Sequence, residues 1–387
     1  MGQVVRQAIQ APIGQALSLS PHQWKTMRAL AACRTSALGG QLFGCTQCGR
    51  EHFVAHSCRN RHCPQCQGPQ AVDWLQRQES ALLPVPYFHL VFTVPHSLNA
   101  LVRQNRTPLF GLLFRAASQT LLEFGRRRFE AQIGFTAVLH TWSQNLLDHY
   151  HLHCIVTGGG VALNQEHWVD SSAHYLFPVR ALSRMFQGKF LDGLQQLYEQ
   201  GKLEFHGHLE NLALPNSFTA LLKASAKPKW VVYAKRPFAG PKQVLAYLSR
   251  YTHRVAISNR RLIAADEQNV TFSYKDYADG ARRKMMTLAV SEFVRRIALH
   301  ILPSRFVKIR HYGLLGNRQR EQRLARAREL LGVEFTPVSE EQSSQIAPAN
   351  SEAQAGYCPF CHSPALILLR ELSPRQAIKA CGLLDSS

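Results

Sequence analysis

Two histidines separated by one residue stand in the segment YHLHCIVTG, which has the pattern of a β-strand. Side chains of a strand alternate between its two faces, so His151 and His153 share one face and Leu152 lies on the other. Two imidazoles on one face are unusual in a purely structural core strand, whereas neutral imidazoles are common ligands of divalent cations. The pair therefore predicts a metal site, with two hydrogen-bonded histidines at a sheet edge as the structural alternative.

A third imidazole is within reach of the pair. The preceding segment GFTAVLHTW is typical of an antiparallel neighbour, and a hairpin between the two strands would place His140 opposite His151. Three imidazoles could then meet on one sheet face. The residues between the two strands offer alternative third ligands, which are Gln144, Asp148 and His149.

The cysteines are the second group of residues with metal-binding chemistry. The chain has ten, and most are clustered as C-x-x-C pairs, a pattern typical of metal ligands in a reducing compartment. Two pairs with the spacing of a tetrahedral zinc site are predicted to bind one structural zinc ion through Cys45, Cys48, Cys63 and Cys66. Neighbouring residues allow a second zinc or a different choice of four: Cys33, His52, His56, Cys58 and His62.

A third C-x-x-C pair lies near the C-terminal end of the chain. Cys358 and Cys361 supply only half of a tetrahedral site. Their partners could be His362 or Cys381, or the pair could bind no metal.

A pair of tyrosines could supply nucleophiles. The segment YLSRYTHR places Tyr247 and Tyr251 four residues apart, on one face of a helix that also carries Arg250 and Arg254. Two phenols on an exposed basic helix are poor core residues, although an aromatic stripe packed on a sheet is the alternative. A phenol with its ordinary pKa near 10 is a weak nucleophile, so it needs help to attack a phosphodiester.

Charge and composition indicate the class of partner. The 387 residues include 45 Lys and Arg against 25 Asp and Glu, a formal net charge of +20, and such a surface attracts polyanions such as nucleic acid. No apolar run reaches the roughly 18 residues of a membrane span, and no signal peptide is recognisable, so the sequence predicts a cytoplasmic protein. No phosphate-binding P-loop is present, and we expect any helicase to come from the host.

The elements that must position these residues predict an α+β fold with a mainly antiparallel sheet. The hydrophobic periodicity predicts a strand at 87–96, helices within 98–132 broken near Pro108 and a helix at 178–200. The glycines at Gly158 to Gly160 predict a turn.

The predicted organisation is a leader (1–19), a zinc-binding DNA-recognition domain (20–82), a catalytic domain ending in a basic helix (83–330), a polar linker (331–356) and a C-terminal C-x-x-C segment (357–387).

These motifs together resemble one family. The histidine–hydrophobe–histidine strand, the Y-x-x-x-Y helix, the segment CRNRHCPQC and the stretches RYTHRVAISNRRL and IRHYGLLGN are similar to those of rolling-circle insertion-sequence transposases of the HUH class, two-tyrosine type. The similarity runs from about residue 20 to 330.

The resemblance implies a fold, an activity and site residues. It implies an HUH-endonuclease-like sheet with flanking helices and an N-terminal zinc-ribbon-like domain. His151 and His153, with His140 as third ligand, would bind catalytic Mg²⁺ or Mn²⁺, and Tyr247 and Tyr251 would cleave and rejoin single-stranded DNA through a 5′-phosphotyrosine. The implied partners are element ends, target DNA, and the host helicase and replication machinery. The arginines expected to contact DNA are Arg250, Arg254, Arg260, Arg261 and Arg310.

Three other functions remain open from the sequence. A plasmid replication initiator or a relaxase would use the same chemistry on different DNA. A non-catalytic zinc-ribbon DNA-binding protein would explain the cysteines and the charge. A hydrolytic metalloenzyme would use the histidine pair, but no general-base carboxylate stands beside it.

Overall fold

The computed structural model describes residues 1–10, 17–79, 81–172, 176–235, 244, 252–333 and 357–384, without the side chains of residues 73, 76, 77 and 380–384. The helices are α1 (Gly2–Gln10), α2 (Pro21–Ala32), α3 (Gln67–Glu79), α4 (Asn99–Gln104), α5 (Arg106–Phe129), α6 (Val179–Glu199), α7 (Pro215–Ala226), α8 (Val290–Leu299), α9 (Arg320–Leu330) and α10 (Pro374–Leu384). Short 3₁₀ turns cover Ser36–Leu38, His96–Leu98, Gly207–Ala213 and Asn259–Arg261.

The strands of the described residues form three antiparallel sheets. They are β1 (Gly40–Cys45), β2 (Glu51–Ala55), β3 (Tyr87–Thr93), β4 (Ala131–Trp142), β5 (Asp148–Ala162), β6 (Trp168–Asp170), β7 (Val232–Lys235), β8 (Leu262–Ala265), β9 (Asn269–Asp276), β10 (Arg282–Ala289), β11 (Ile309–Gly313) and β12 (Leu366–Leu372). The central sheet has six strands in the order β11-β4-β5-β3-β7, with β6 paired to β5. The predicted α+β class with antiparallel pairing is confirmed.

The central sheet has one apolar face. Alternate residues of β3, β4 and β5, such as Phe92, Phe135 and Leu152, join the main hydrophobic core with helices α5 and α6. The intervening residues therefore point to the opposite face, which we call the histidine face because it carries His89, His140, His151 and His153.

A second core lies beside the central sheet. It joins α1, α2 and α8 with the sheet β10-β9-β8, and three of the cysteines are buried in it. Helix α2 begins after Ser20, whose hydroxyl accepts a hydrogen bond from the N–H of Gln23 while the Gln23 side chain accepts one from the Ser20 N–H. This reciprocal pair satisfies two of the free donors at the helix start.

The two ends of the chain share the third sheet. Strand β1 is its central strand and pairs with β2 on one edge and with β12 on the other. The C-terminal segment thus adds a strand to the N-terminal cysteine-rich segment rather than folding separately.

One local expectation is wrong, and the expected helix break near Pro108 is confirmed. Gly158, Gly159 and Gly160 do not form a turn but continue strand β5. A Cβ at Gly160 would lie 2.4 Å from the carbonyl oxygen of Gln132, so glycine is needed because neighbouring backbone approaches closely. The long helical region breaks at Asn105, and Pro108 sits in the first turn of α5, where its missing N–H costs no hydrogen bond.

No helix in the described part of the chain is long and apolar enough to cross a membrane.

Candidate metal centre and its surroundings

Three histidines converge on the histidine face. Strand register places His140 directly opposite His151, as the hairpin prediction required, and His153 lies two residues along the same strand. One ring nitrogen from each histidine lies within 4.8 Å of the others. We call His140, His151 and His153 the histidine trio.

The nitrogen separations suit a single cation. Nε2 of His151 and Nε2 of His153 are 3.1 Å apart. Two nitrogens bound at about 2.1 Å to one ion are separated by about 3.0 to 3.4 Å, depending on the coordination geometry. The two imidazoles therefore already stand at the spacing of two ligands of one metal ion.

The protonation states also suit metal binding. Burial lowers the pKa of His151 to about 3, and burial together with the neighbouring His140 holds the pKa of His153 well below its ordinary value. Both imidazoles are consequently neutral near pH 7, the form in which ring nitrogens bind cations.

Hydrogen bonds orient two of the rings. Nδ1 of His151 lies 2.8 Å from the carbonyl oxygen of His149, to which it donates, so Nε2 carries the lone pair directed at the trio. Nδ1 of His153 lies 2.9 Å from Nε2 of His89, whose ring stacks on that of His153 with centroids 5.1 Å apart. These contacts are the kind that fix the tautomer and orientation of metal-binding histidines.

His89 is a functional candidate that the sequence analysis missed. It lies in β3, where Val91 is opposite His153, so His89 is a diagonal neighbour of His153 on the same face. Burial lowers the pKa of His89 to about 4. The only sequence signal was one histidine in the mostly apolar strand YFHLVFT.

The alternative third ligands have other contacts. Oδ2 of Asp148 accepts a 2.8 Å hydrogen bond from Nε of Arg103, and the ring of His149 stacks on His96. The carbonyl oxygen of Gln144 accepts a hydrogen bond from Arg261. Neither Asp148 nor His149 belongs to the histidine trio, although the ring of His149 contacts that of His151 with centroids 4.6 Å apart.

Eight of the nine cysteines with described side chains form two groups of four, which corrects the prediction that Cys45, Cys48, Cys63 and Cys66 share one site. The two C-x-x-C pairs are separated because each finds partners elsewhere in the chain. The buried group consists of Cys33, Cys58, Cys63 and Cys66, and the terminal group consists of Cys45, Cys48, Cys358 and Cys361. No histidine belongs to either group within the described residues, and the Cys381 side chain lies outside them.

The buried group fits a structural zinc ion. Its Sγ–Sγ distances are 3.5 Å for Cys63–Cys33, 3.6 Å for Cys33–Cys66 and 3.7 Å for Cys58–Cys66. Four thiolates at about 2.3 Å around a tetrahedral zinc are separated by about 3.8 Å, whereas a disulfide needs about 2.05 Å. The spacing therefore matches metal ligation and excludes disulfides.

The buried cysteine group is attached to the segment before β11. Nη2 of Arg61 donates to the carbonyl oxygen of Pro303 at 2.6 Å, and the N–H of Leu302 donates to Nε2 of His62 at 3.3 Å. Since β11 is an edge strand of the central sheet, these bonds connect the cysteine-rich segment to the sheet that carries the histidine trio.

The predicted DNA-contacting arginines have different surroundings. Arg254 is exposed, and its charge contributes to lowering the pKa values of His151 and His153, which places it near the trio. Arg260 is also exposed. Tyr247, Tyr251 and Arg250 lie outside the described residues.

Two other arginines are held by internal contacts. Nε of Arg261 donates to the carbonyl oxygen of Ser273 at 2.8 Å, and its guanidinium also bonds the loop between β4 and β5. Burial lowers the pKa of Arg261 to about 10. Arg310 stacks over the ring of Phe114 at 4.1 Å. These contacts assign Arg261 to holding the loop that joins the two histidine-bearing strands.

Comparison with known proteins identifies relatives along most of the chain. Residues 134–323 match a family described as "Putative transposase", and residues 4–94 match a "Transposase zinc-binding domain". "Putative transposase y4qJ" of Sinorhizobium fredii is 46% identical over 92% of this chain and 91% of its own length. "Transposase for insertion sequence element IS801" of Pseudomonas savastanoi pv. phaseolicola is 30% identical over 79% of this chain and 73% of its own. No solved structure matches the chain.

Proposed function

This chain belongs to the IS91 family of rolling-circle transposases, and we propose that it cleaves and rejoins single-stranded DNA at the ends of an insertion sequence through a 5′-phosphotyrosine intermediate. The observation that carries the proposal is the histidine trio, three converging imidazoles on the sheet of a DNA-processing enzyme. The proposed fold is the HUH-endonuclease arrangement, which the antiparallel central sheet and its flanking helices support.

The reaction conserves the phosphodiester energy. The tyrosine hydroxyl loses its proton and its oxygen attacks the scissile phosphorus, while the bond from phosphorus to the 3′ oxygen breaks. The 3′ oxygen takes up a proton and leaves as a free 3′-OH. A 3′-OH of another strand then attacks the phosphotyrosine and releases the tyrosine, so rejoining needs no ATP.

The histidine trio is the proposed site of Mg²⁺ or Mn²⁺. A divalent cation bound there would polarise the scissile phosphate and stabilise charge on the leaving 3′ oxygen. The chain's own residues orient the ligands, since the His149 carbonyl holds the His151 ring and His89 holds the His153 ring. Neutral, fixed imidazoles bind a cation without first losing a proton or reorganising.

Tyr247 and Tyr251 are the proposed nucleophiles. Tyr251 is connected through Thr252 and His253 to Arg254, whose positive charge contributes to lowering the pKa values of His151 and His153. This closeness in sequence supports Tyr251 as one of the nucleophiles. Having two tyrosines permits a second cleavage before the first ester is resolved.

The remaining parts of the proposal concern DNA. The exposed Arg254 and Arg260 and the net charge of +20 support contacts to phosphate. The zinc-binding domain is the proposed module for recognising the element ends, with zinc in the buried cysteine group. We also propose a cytoplasmic, nucleoid-associated location. Because the sequence has no P-loop, we propose that the host supplies the helicase and replication proteins.

The test is covalent capture of DNA. The full chain is incubated with end-labelled single strands from the flanks of its element in Mg²⁺ or Mn²⁺, and the adduct peptide is mapped by mass spectrometry. We expect the adduct on Tyr247 or Tyr251. If the two tyrosines lie one helical turn apart, roughly 6 Å along the axis, they cannot be equally placed for one cation. Tyr247→Phe and Tyr251→Phe should therefore differ in a single-cleavage assay, while both should block complete transposition.

The exposed Tyr277 provides the control. Tyr277→Phe should form the adduct at the rate of the unmodified protein. Cleavage that proceeds with the adduct on neither Tyr247 nor Tyr251 would show that the nucleophile assignment is wrong.

A further inference from the structure

Two C-x-x-C turns from opposite ends of the sequence face each other in the terminal group. Cys45 and Cys48 occupy the turn between β1 and β2, and Cys358 and Cys361 occupy a turn shortly before β12. Sγ of Cys45 lies 3.6 Å from Sγ of Cys361, and Sγ of Cys48 lies 3.6 Å from Sγ of Cys358. About 310 residues of sequence separate the members of each contact.

These distances have the same chemical meaning as those of the buried group. The sulfurs are too far apart for disulfides and close to the roughly 3.8 Å edge of a zinc tetrathiolate. All four Sγ atoms lie within 4.8 Å of one another. Thiolates are soft ligands that favour zinc over Mg²⁺ or Ca²⁺.

The two turns also have matching backbone. The residue immediately after each second cysteine, Gly49 or His362, has a positive φ, +72° and +56° respectively. The first cysteine of each turn accepts a backbone hydrogen bond through its carbonyl oxygen from that residue, at 2.9 Å from Gly49 and 2.8 Å from His362. Positive φ is uncommon for residues other than glycine, and histidine is among those that adopt it more often, so the second turn has the same backbone shape as the first.

The sheet that carries these turns has too little core to hold itself together. Its hydrophobic cluster contains only Leu42, Leu372 and Ala377 as buried members among the described residues, with Phe53 packed against them. Ile367, Leu368 and Leu369 of β12 are exposed. Small units that bury so little apolar surface usually need a metal or disulfides to fold.

We infer that the terminal group is a second structural zinc site, formed by Cys45, Cys48, Cys358 and Cys361, which fastens the C-terminal segment to the N-terminal sheet. The matched zinc-binding domain ends at residue 94, so half of this site lies outside it. The zinc-binding region of this chain is thus completed by residues 357–384, which supply both a strand and two ligands.

Metal content of the purified full chain tests the inference. In a chain that also carries His151→Ala and His153→Ala, so that the histidine trio cannot bind zinc, the protein loaded with Zn²⁺ and desalted should contain two zinc ions per chain, one in each cysteine group. The double substitution Cys358→Ser and Cys361→Ser should lower the content to one. The control Cys154→Ala, at a buried cysteine of neither group, should keep two. A double variant that still binds two zinc ions would overturn the inference.

A second measurement on the unmodified protein avoids any folding defect of the variants. Cys48 and Cys361 are exposed, so an alkylating reagent should modify both rapidly unless a metal holds their thiolates. We expect peptide mapping to show protection in zinc-loaded protein and loss of protection after a chelator is added. Rapid alkylation of both in zinc-loaded protein would contradict the inference. Neither measurement depends on DNA cleavage, so the outcome is separate from that of the proposed function.

Discussion

The two faces of the central sheet are built from the same strands but carry different kinds of side chain. In β5, Tyr150, Leu152 and Cys154 point to helices α5 and α6 and are completely buried in the main core. His151 and His153, which alternate with them, meet His140 on the other face. One strand therefore supplies apolar side chains to the core on one face and the proposed cation ligands on the other, and rigid packing on the first face holds the second in place.

The first prediction separates the faces most strongly. His151→Ala or His153→Ala should abolish cleavage in Mg²⁺ or Mn²⁺, because each removes one of the oriented ligands and the cation is then no longer bound. Most of the DNA affinity should remain, since it comes mainly from lysine and arginine contacts to phosphate. Cleavage and filter-binding assays measure the two effects. The exposed His208→Ala should change neither, and a His151→Ala protein that cleaves normally would show that the trio is not the cation site.

The second prediction concerns the apolar face. Leu152→Ala removes a fully buried side chain between the two histidines and should lower the free energy of unfolding by about 2 to 5 kcal/mol. The protein that remains folded should still cleave DNA, because the histidine face is unchanged. Denaturant unfolding gives the free energy, with the 55% exposed Leu163→Ala as a control expected within about 0.5 kcal/mol. A small loss of stability with complete loss of cleavage would contradict the division between the faces.

The third and smallest prediction sharpens the role of His89, which contacts a proposed ligand rather than the cation. His89→Ala should raise the Mn²⁺ concentration for half-maximal cleavage by about 10- to 100-fold, the usual effect of losing a residue that orients a metal ligand. The rate at saturating Mn²⁺ should be nearly normal. His89→Gln, which can still hydrogen-bond His153, should recover part of the affinity. An unchanged Mn²⁺ dependence would show that His89 is only a packing residue.

The predictions from sequence succeeded where neighbouring residues decide the result. The two-residue period of a strand placed His151 and His153 on one face, and a short connection placed His140 opposite His151. Helix α6 and strand β3 also follow their local patterns. The prediction for the glycine run was wrong because glycine is needed there for another reason. The backbone of Gln132 and Pro86 lies too close for a side chain, and local sequence does not reveal that contact.

The cysteines show the limit of such reasoning. The C-x-x-C spacing identified pairs of metal ligands, since a tight turn brings both thiols to one ion. It did not identify which pairs combine, and the two pairs nearest in sequence belong to different groups in the structure.

The sequence by itself determined the chemistry of this protein: paired imidazoles, thiol pairs and a basic surface suited to DNA. Only the tertiary structure decided which of these residues are in contact. It placed His89 behind His153, turned Arg261 inward, and joined Cys358 and Cys361 to Cys45 and Cys48. The physical reason is that side-chain direction follows from local backbone periodicity, whereas contacts between distant segments follow from strand register and packing, which depend on the whole fold.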